Sequence, residues 1–176
     1  MQVDYIVAAL IVPVPIVHLW LHALLGWWHE RPILFYGWAL LVWIGSFFYL
    51  DFLRWDSRLL FYPSDSLRFF GWALMLLGCG AILSSILALG VKRFFLWAVL
   101  KPDSVDCLRV RSGPFAFLPH PAYMGQVCIM LGNALSSAQA YAWSAFCFVL
   151  IAFPLVIVFE ERELKERLNA LSPKQD

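Results

Sequence analysis

The sequence predicts an all-α membrane protein, a polytopic transmembrane helical bundle of about five spans, from its composition and the spacing of its apolar blocks. Hydrophobic residues make up 62% and charged residues 14% of the 176 positions, and the mean hydropathy is +0.74. Soluble domains average roughly 45–50% apolar and about 25% charged residues, so this chain lacks the polar residues for a water-facing surface. Blocks of about 20 apolar residues match the hydrocarbon core, where backbone amides must bond within their own helix.

The predicted spans follow the apolar blocks in order, and we expect them to form a single integral membrane domain over residues 1–176. A short hinge that ends at Pro32 separates the first two spans, and a tight Ser-Ala-Gln-Ala connection separates the last two. The predicted spans cover residues 3–25, 33–50, 67–89, 121–137 and 141–159, with a basic loop at 91–119 and a polar tail at 160–176 that starts as a short helix.

The lysines and arginines are divided unevenly between the two sides of the predicted bundle. With the loop 91–119 in the cytoplasm, that side holds ten of them and the other side three. Because cytoplasmic loops are enriched in lysine and arginine, we expect a periplasmic or lumenal amino terminus and a cytoplasmic carboxyl terminus. The ten are Arg31, Lys92, Arg93, Lys101, Arg109, Arg111, Arg162, Lys165, Arg167 and Lys174, and the three are Arg54, Arg58 and Arg68.

The junction between the basic loop and the fourth predicted span has the strongest signal for chemistry. Pro121 suits the first turn of a helix, where free backbone amides can bind a carboxylate or a phosphate. His120 lies beside that turn, and Tyr123 and Gly125 follow on it. The alternative is a proline-rich helix start with an interfacial histidine.

A pair of carboxylates, Glu160 and Glu161, follows the fifth predicted span. Adjacent carboxylates at the carboxyl-terminal end of a helix oppose the helix dipole and repel each other, so the arrangement is costly unless a ligand uses it. The alternative is a solvated charged helix, since Arg162 and Lys165 are near in sequence.

Two further patterns lie inside predicted spans. Gly78 and Gly80 flank a cysteine, and Gly80, Ser84 and Ala88 form a small-residue stripe that favours close helix packing, with a backbone-lined ligand contact as the alternative.

His18 and His22 lie one turn apart on the first span, a spacing that metal ligands can have. No third ligand is identifiable, so we expect no metal and favour a position at the interface or along a cavity. The sequence also has no basic run, so we expect no nucleic-acid partner.

The segment from Gly113 to Gly125, followed by Glu160, Glu161 and Leu164, resembles the carboxyl-terminal signature of the isoprenylcysteine carboxyl methyltransferases and related phospholipid methyltransferases. In that group the loop reads roughly G-P-[FY]-R-[FY]-x-R-H-P-x-Y-x-G, and E-E-x-x-L follows the last span. The resemblance covers about the last third of the chain. Two positions depart from it, because Ala116 and Pro119 stand where the group usually has arginines.

The resemblance implies that S-adenosyl-L-methionine binds between the cytoplasmic loop, the last helical hairpin and the tail. His120 and Tyr123 would contact its methionine part or ribose, and Gly125 would leave room for it. Gly78 and Gly80 resemble a G-x-G assigned to the cofactor in phosphatidylethanolamine methyltransferases. The implied cofactor-binding residues are His120, Pro121, Tyr123, Gly125, Glu160, Glu161, Gly78 and Gly80, and the implied catalytic residues are His120, Glu160 and Glu161.

The implied reaction is methyl transfer to a lipid or lipid-modified acceptor at the cytoplasmic interface. A carboxylate acceptor needs no base, whereas an amine must lose a proton, for which His120 or one of the glutamates is available. Two alternatives stay open. Sterol reductases, which use a nicotinamide cofactor, share a similar R-H-P-x-Y-x-G ending, and a non-catalytic membrane protein with a degenerate methyltransferase fold fits the missing arginines.

Overall fold

A computed structural model describes residues 3–55, 57–101 and 110–171 of the chain, and these residues form α-helices with one isolated β-bridge between Leu59 and Gln139. The helices are α1 (Val3–Ile11), α2 (Pro13–Ala23), α3 (Leu25–Glu30), α4 (Pro32–Trp55), α5 (Asp65–Leu89), α6 (Val91–Phe94), α7 (Trp97–Leu100), α8 (Pro121–Ser137) and α9 (Ala140–Leu171), with a 3₁₀ turn at Gly113–Ala116 between α7 and α8.

Within the part of the chain that the structure describes, four helical segments are long and apolar enough to cross a membrane. They are Asp4–Ala23, Pro32–Trp55, Asp65–Leu89 and Ala140–Glu166. Helix α8 has 17 residues, which at about 1.5 Å per residue gives a length of ~26 Å, and it takes the place of the remaining predicted span. The predicted all-α, polytopic class is therefore confirmed.

Several boundaries differ from the predicted ones for local reasons. The first span is divided into α1 and α2 at Val12, because Pro13 has no N–H to continue the hydrogen-bond ladder. Helix α4 continues past the predicted end at Leu50, and there Arg54 forms an ion pair with Asp51 at 2.8 Å. Part of the predicted loop 91–119 forms α6 and α7, and residues 102–109 of that loop lie outside the described residues.

The last predicted span and the start of the polar tail form one continuous helix rather than two. Helix α9 passes from Ala140 through the charged residues after Phe159 to Leu171. Glu160 and Glu161 are therefore held on the same rigid element as the apolar span. Arg162 and Glu166, one turn apart on its exposed side, are joined by a hydrogen bond of 3.0 Å.

Helices α5 and α8 pack backbone against backbone through two pairs of glycines. A Cβ placed on Gly71 would lie 2.6 Å from the carbonyl oxygen of Gly132, and one placed on Gly78 would lie 2.4 Å from that of Gly125. In the opposite direction, a Cβ placed on Gly132 would lie 2.3 Å from the carbonyl oxygen of Gly71, and one placed on Gly125 would lie 2.7 Å from that of Gly78. Only residues without a side chain permit this approach, so these glycines set the distance between the two helices.

The start of α1 is fastened to the turn between α8 and α9. The hydroxyl of Tyr141 donates to the carboxylate of Asp4 at 2.5 Å, and the side-chain amide of Asn133 donates to the carbonyl of Asp4 at 2.9 Å. Ala138 turns the chain in the left-handed conformation (φ 55°). These two bonds fix the amino-terminal end of α1 against α8 and α9.

The glycine contact yields a stability prediction. Gly132→Ala should lower the free energy of unfolding by about 1–3 kcal/mol, because the added methyl group meets backbone that cannot move aside independently. The matched control is Gly45→Ala in α4, where no described atom lies within 4 Å of the added Cβ, and it should be neutral or slightly stabilising. Denaturant titration in mixed micelles measures both, and equal behaviour of the two variants would contradict the close contact.

Candidate active site

Seven polar side chains from three helices gather at one end of the bundle, and we call them the polar cluster. Helix α8 contributes its first turn, α9 contributes the turn that follows its apolar stretch, and α2 contributes two histidines from its second half. Imidazole, phenol and carboxylate groups therefore meet at the edge of the apolar region. The members are His18, His22, His120, Tyr123, Glu160, Glu161 and Glu163.

His120 precedes Pro121, the first residue of α8, and its side chain points across to α9 rather than capping its own helix. Its Nε2 is bonded to Oε1 of Glu161 at 3.0 Å, and its Nδ1 lies 3.5 Å from Oε2 of Glu160. Each ring nitrogen thus faces a carboxylate. The predicted residues of α8 and α9 are in direct contact, although 41 positions separate them.

Tyr123 holds the centre of the polar cluster in place. Its hydroxyl donates a hydrogen bond to Oε1 of Glu160. Its ring stacks between Phe153, with centroids 4.9 Å apart, and the ring of His120 at 5.7 Å. The edge of His18 meets it at 5.6 Å. Aromatic packing therefore orients the phenol at the carboxylate, and hydrogen bonding to a charged group adds to that contact.

The two histidines of α2 complete the surroundings of Glu160. The Nε2 atoms of His18 and His22 each lie 3.9 Å from its Oε1. His18 donates through Nδ1 to the carbonyl of Val14 at 2.8 Å, and His22 donates through Nδ1 to Glu163 at 2.7 Å. A carboxylate in an apolar environment needs such partners, since an isolated buried charge is very costly.

A cavity of about 580 Å³ lies against the polar cluster. This volume falls within the roughly 300–1,000 Å³ typical of small-molecule sites. Apolar walls come from α4, from α6 and α7 and from the residues between those two helices, including Trp43 and Leu96, and Arg93 of α6 is also among the lining residues. The cavity therefore combines a mostly apolar wall with one strongly polar end.

The cavity includes some of the residues implied by the resemblance and excludes others. His120, Tyr123, Glu160 and Glu161 line it, while Pro121 is fully buried beside them. Gly78 and Gly125 press against each other in the α5–α8 contact, and no described atom lies within 4 Å of a Cβ built on the exposed Gly80. These three glycines do not line the described cavity, so their contact with a cofactor stays a prediction.

Sequence reasoning missed Glu163 and Gln126 and left the partners of His18 and His22 open. Glu163 lies three residues after Glu160, and Gln126 three residues after Tyr123, so each shares a helix face with a predicted residue. This three-residue spacing is the feature of the sequence that could have identified Glu163 and Gln126. Nothing in the local sequence could show that His18 and His22, about 140 positions away, would meet α9.

The comparisons with known proteins concern the second half of the chain. The family model described as phospholipid methyltransferase matches residues 67–169. The matched region includes nearly all of α5, all of α8 and most of α9, and it excludes His18 and His22. Phosphatidylethanolamine N-methyltransferase of Rattus norvegicus is 33% identical over 101 residues, which are 56% of this chain and 48% of that relative, so the match spans about half of the relative's length. No solved structure shows significant similarity.

The contact between Tyr123 and Glu160 predicts measurable coupling. Tyr123→Phe keeps the stacked ring and removes the hydroxyl, so it should lower the free energy of unfolding by about 1–3 kcal/mol, as expected for loss of a hydrogen bond to a charged group. In a double-mutant cycle with Glu160→Gln, the effects of the two changes should be non-additive. Strictly additive effects would show that the two groups do not interact.

Proposed function

The chain belongs to the phospholipid methyltransferase family, and we propose that it transfers the methyl group of S-adenosylmethionine to the headgroup amine of a phospholipid. The observation that carries this proposal is the contact of His120 and Tyr123 with Glu160 and Glu161, which lies in the matched region and beside the cavity. The amine acceptor is suggested by the name of the rat relative, a phosphatidylethanolamine N-methyltransferase.

The residues around the cavity suit the chemical groups of S-adenosylmethionine. Its ammonium and ribose hydroxyls are hydrogen-bond donors, and Glu160 and Glu161 present carboxylate oxygens that accept such bonds. Its adenine and methylene groups are apolar or aromatic, as are the walls contributed by α4, α6 and α7. When bound, this cofactor would supply a methyl group already activated by a positively charged sulfur.

Because the methyl group is already activated, the protein has to align the acceptor and exclude water. Tyr123 and His120 hold Glu160 in a fixed position, so the carboxylate need not reorganise when a cation binds. The apolar wall limits the entry of water. Arg93 lines the cavity, and we expect it to contact the phosphate of a lipid headgroup, a group that guanidinium binds well. In this proposal Arg93 takes the place of the arginines that are missing at Ala116 and Pro119.

Binding of the cofactor is the first test. His120→Ala and Glu160→Ala should each raise the Kd for S-adenosylmethionine about tenfold or more, since each removes a partner from a buried polar group. The control Glu166→Ala removes a carboxylate of the same helix that pairs with Arg162 away from the cavity, and it should leave the Kd unchanged. Calorimetry on detergent-purified protein measures all three.

The same titration distinguishes the alternative reductase. Wild-type protein that binds NADPH and not S-adenosylmethionine would contradict the proposed function. An unchanged Kd for S-adenosylmethionine in both His120→Ala and Glu160→Ala would instead show that these two residues do not bind the cofactor.

We also propose that the polar cluster lies at the cytoplasmic face, with the amino terminus outside, because of the ten-to-three distribution of lysine and arginine. In a background without native cysteines, Tyr62→Cys should react with a membrane-impermeant maleimide added from outside, and Ser112→Cys should not. Both positions are exposed. Tyr62 precedes the first turn of α5, whereas Ser112 precedes Gly113, on which a Cβ would lie 3.5 Å from Cβ of Ala88 near the other end of α5. The reverse pattern of labelling would contradict this orientation.

The acceptor should reach the cavity from the bilayer, since the cavity has an apolar wall and lies beside membrane-crossing helices. Each buried CH₂ contributes roughly 0.8 kcal/mol, so acyl chains should dominate recognition. We expect kcat/KM for a dioleoyl phosphatidylethanolamine to exceed that for glycerophosphoethanolamine by about 100-fold or more. Equal rates would show that the site admits acceptors from water.

A further inference from the structure

Gln126 is a buried amide on the cavity wall that has no hydrogen-bond partner in the described part of the chain. The residue is 7% exposed, and its Oε1 is buried and unpaired. Its amide nitrogen makes no hydrogen bond with the described residues either. Since buried polar side chains are nearly always hydrogen-bonded, an unpaired amide that lines a cavity indicates where a ligand bonds.

The position of Gln126 is fixed by the close contact between α5 and α8. It follows Gly125, on which a Cβ would lie 2.7 Å from the carbonyl oxygen of Gly78, so the backbone at this point cannot shift freely. It also lies three residues after Tyr123, which places it about 4.5 Å further along α8. Gln126 therefore stands at the inner edge of the polar cluster, on the side of the apolar part of α9.

The two ends of the amide restrict the ligand. The oxygen accepts and the nitrogen donates, so full pairing needs a group that carries a donor beside an acceptor. The ammonium of a phospholipid headgroup offers only donors, and an ionised phosphate offers only acceptors. Adenine offers both on one edge, its N6 amino group and its N7, and glutamine binds that edge through two hydrogen bonds in protein–nucleic acid complexes.

The other polar parts of S-adenosylmethionine suit other residues of the cavity. Its ammonium is charged and its ribose carries hydroxyls, and both bond well to carboxylates such as those of Glu160 and Glu161. Adenine is the neutral and planar part of the molecule, so it suits a neutral amide. Aromatic side chains of the cavity wall, on which a base can stack, include Phe35, Tyr36 and Phe95.

We propose that Gln126 recognises the adenine of S-adenosylmethionine, with Oε1 accepting from the N6 amino group and Nε2 donating to N7. This role rests on the proposed function and adds to it a residue that determines cofactor specificity. A cofactor with a different base would leave one or both ends of the buried amide unpaired, at a cost in affinity. Gln126 takes no part in methyl transfer itself.

The test measures binding and needs no turnover. Calorimetry on detergent-purified wild-type protein gives the Kd for S-adenosylhomocysteine and for two analogues of it. One analogue has C–H in place of N7, and the other lacks the 6-amino group. Each analogue should bind about tenfold or more weakly than S-adenosylhomocysteine, because it leaves one end of the buried amide unpaired.

A variant then assigns these losses to Gln126. Gln126→Met keeps an unbranched side chain and removes the amide, so it should raise the Kd for S-adenosylhomocysteine about tenfold or more. It should also reduce the differences among the three ligands to less than about threefold, because the ligand atoms and the amide are coupled. Without ligand, this variant should unfold at the same or a higher denaturant concentration than wild type, since it removes an unpaired buried group.

The matched control is Gln139→Met, the same change at the turn between α8 and α9. Gln139 is only partly buried and does not line the cavity, so this variant should keep the wild-type Kd values for all three ligands.

Wild-type protein that binds the three ligands equally would overturn the role of Gln126 and leave the proposed function intact. Wild-type differences that persist in Gln126→Met would overturn it too, since another residue would then recognise the base. The same holds if Gln126→Met binds S-adenosylhomocysteine normally and loses affinity only for phosphatidylethanolamine. Wild-type protein that binds neither S-adenosylmethionine nor S-adenosylhomocysteine would overturn the proposed function and the role of Gln126 with it.

Discussion

The close contact between α5 and α8 is the constraint on which the rest of the site depends. Gly71 meets Gly132 and Gly78 meets Gly125, and both pairs are seven residues apart on their own helices, which is nearly two helical turns. With no side chain between the backbones, α8 cannot slide or rotate without a clash. The positions of His120, Tyr123 and Gln126 follow from that fixed helix.

The hairpin geometry then brings α9 into register with α8. Helix α8 is ~26 Å long, and the 21 residues from Ala140 to Glu160 rise ~30 Å in the opposite direction. The carboxylates therefore return to the level at which α8 begins. This is why residues far apart in sequence form direct hydrogen bonds, and why α9 must continue as a helix beyond its apolar stretch.

Hydropathy predicted most of the fold, because every span that crosses lipid has to be an apolar helix of about 20 residues whose backbone amides bond within the same helix. Helix α8 was predicted from Pro121 to Ser137, the bounds that the structure shows. The end of α9 was predicted wrongly as a separate short helix, because a change from apolar to charged residues usually marks the end of a membrane span. In the structure α9 continues through the charged residues and packs against α2. The small-residue stripe that includes Gly80 was also misplaced, since the contact face runs through Gly71 and Gly78. Small residues lie on more than one face of α5, and the sequence alone does not show which of these faces packs against α8.

The site was predictable where its residues lie in one local pattern and not where they depend on tertiary contact. His120 and Tyr123 stand in a recognisable turn, and Glu160 and Glu161 stand as a pair. The contact between His22 and Glu163 depends on tertiary structure, because the packing of α2 against α9 brings Nδ1 of His22 within 2.7 Å of Oε2 of Glu163. The polar cluster thus sets imidazole groups against carboxylates, and such pairing reduces the cost of burying a carboxylate at the edge of an apolar region.

In the proposed function the cofactor binds between the first turn of α8 and the charged turn of α9. The most direct measurement is photocrosslinking with a diazirine derivative of S-adenosylhomocysteine, followed by mass spectrometric mapping of the labelled peptides. We expect labels within residues 113–126 and 153–166, both suppressed by excess S-adenosylmethionine. Labels confined to the lipid-facing residues of α4, or labels that excess cofactor does not suppress, would contradict it.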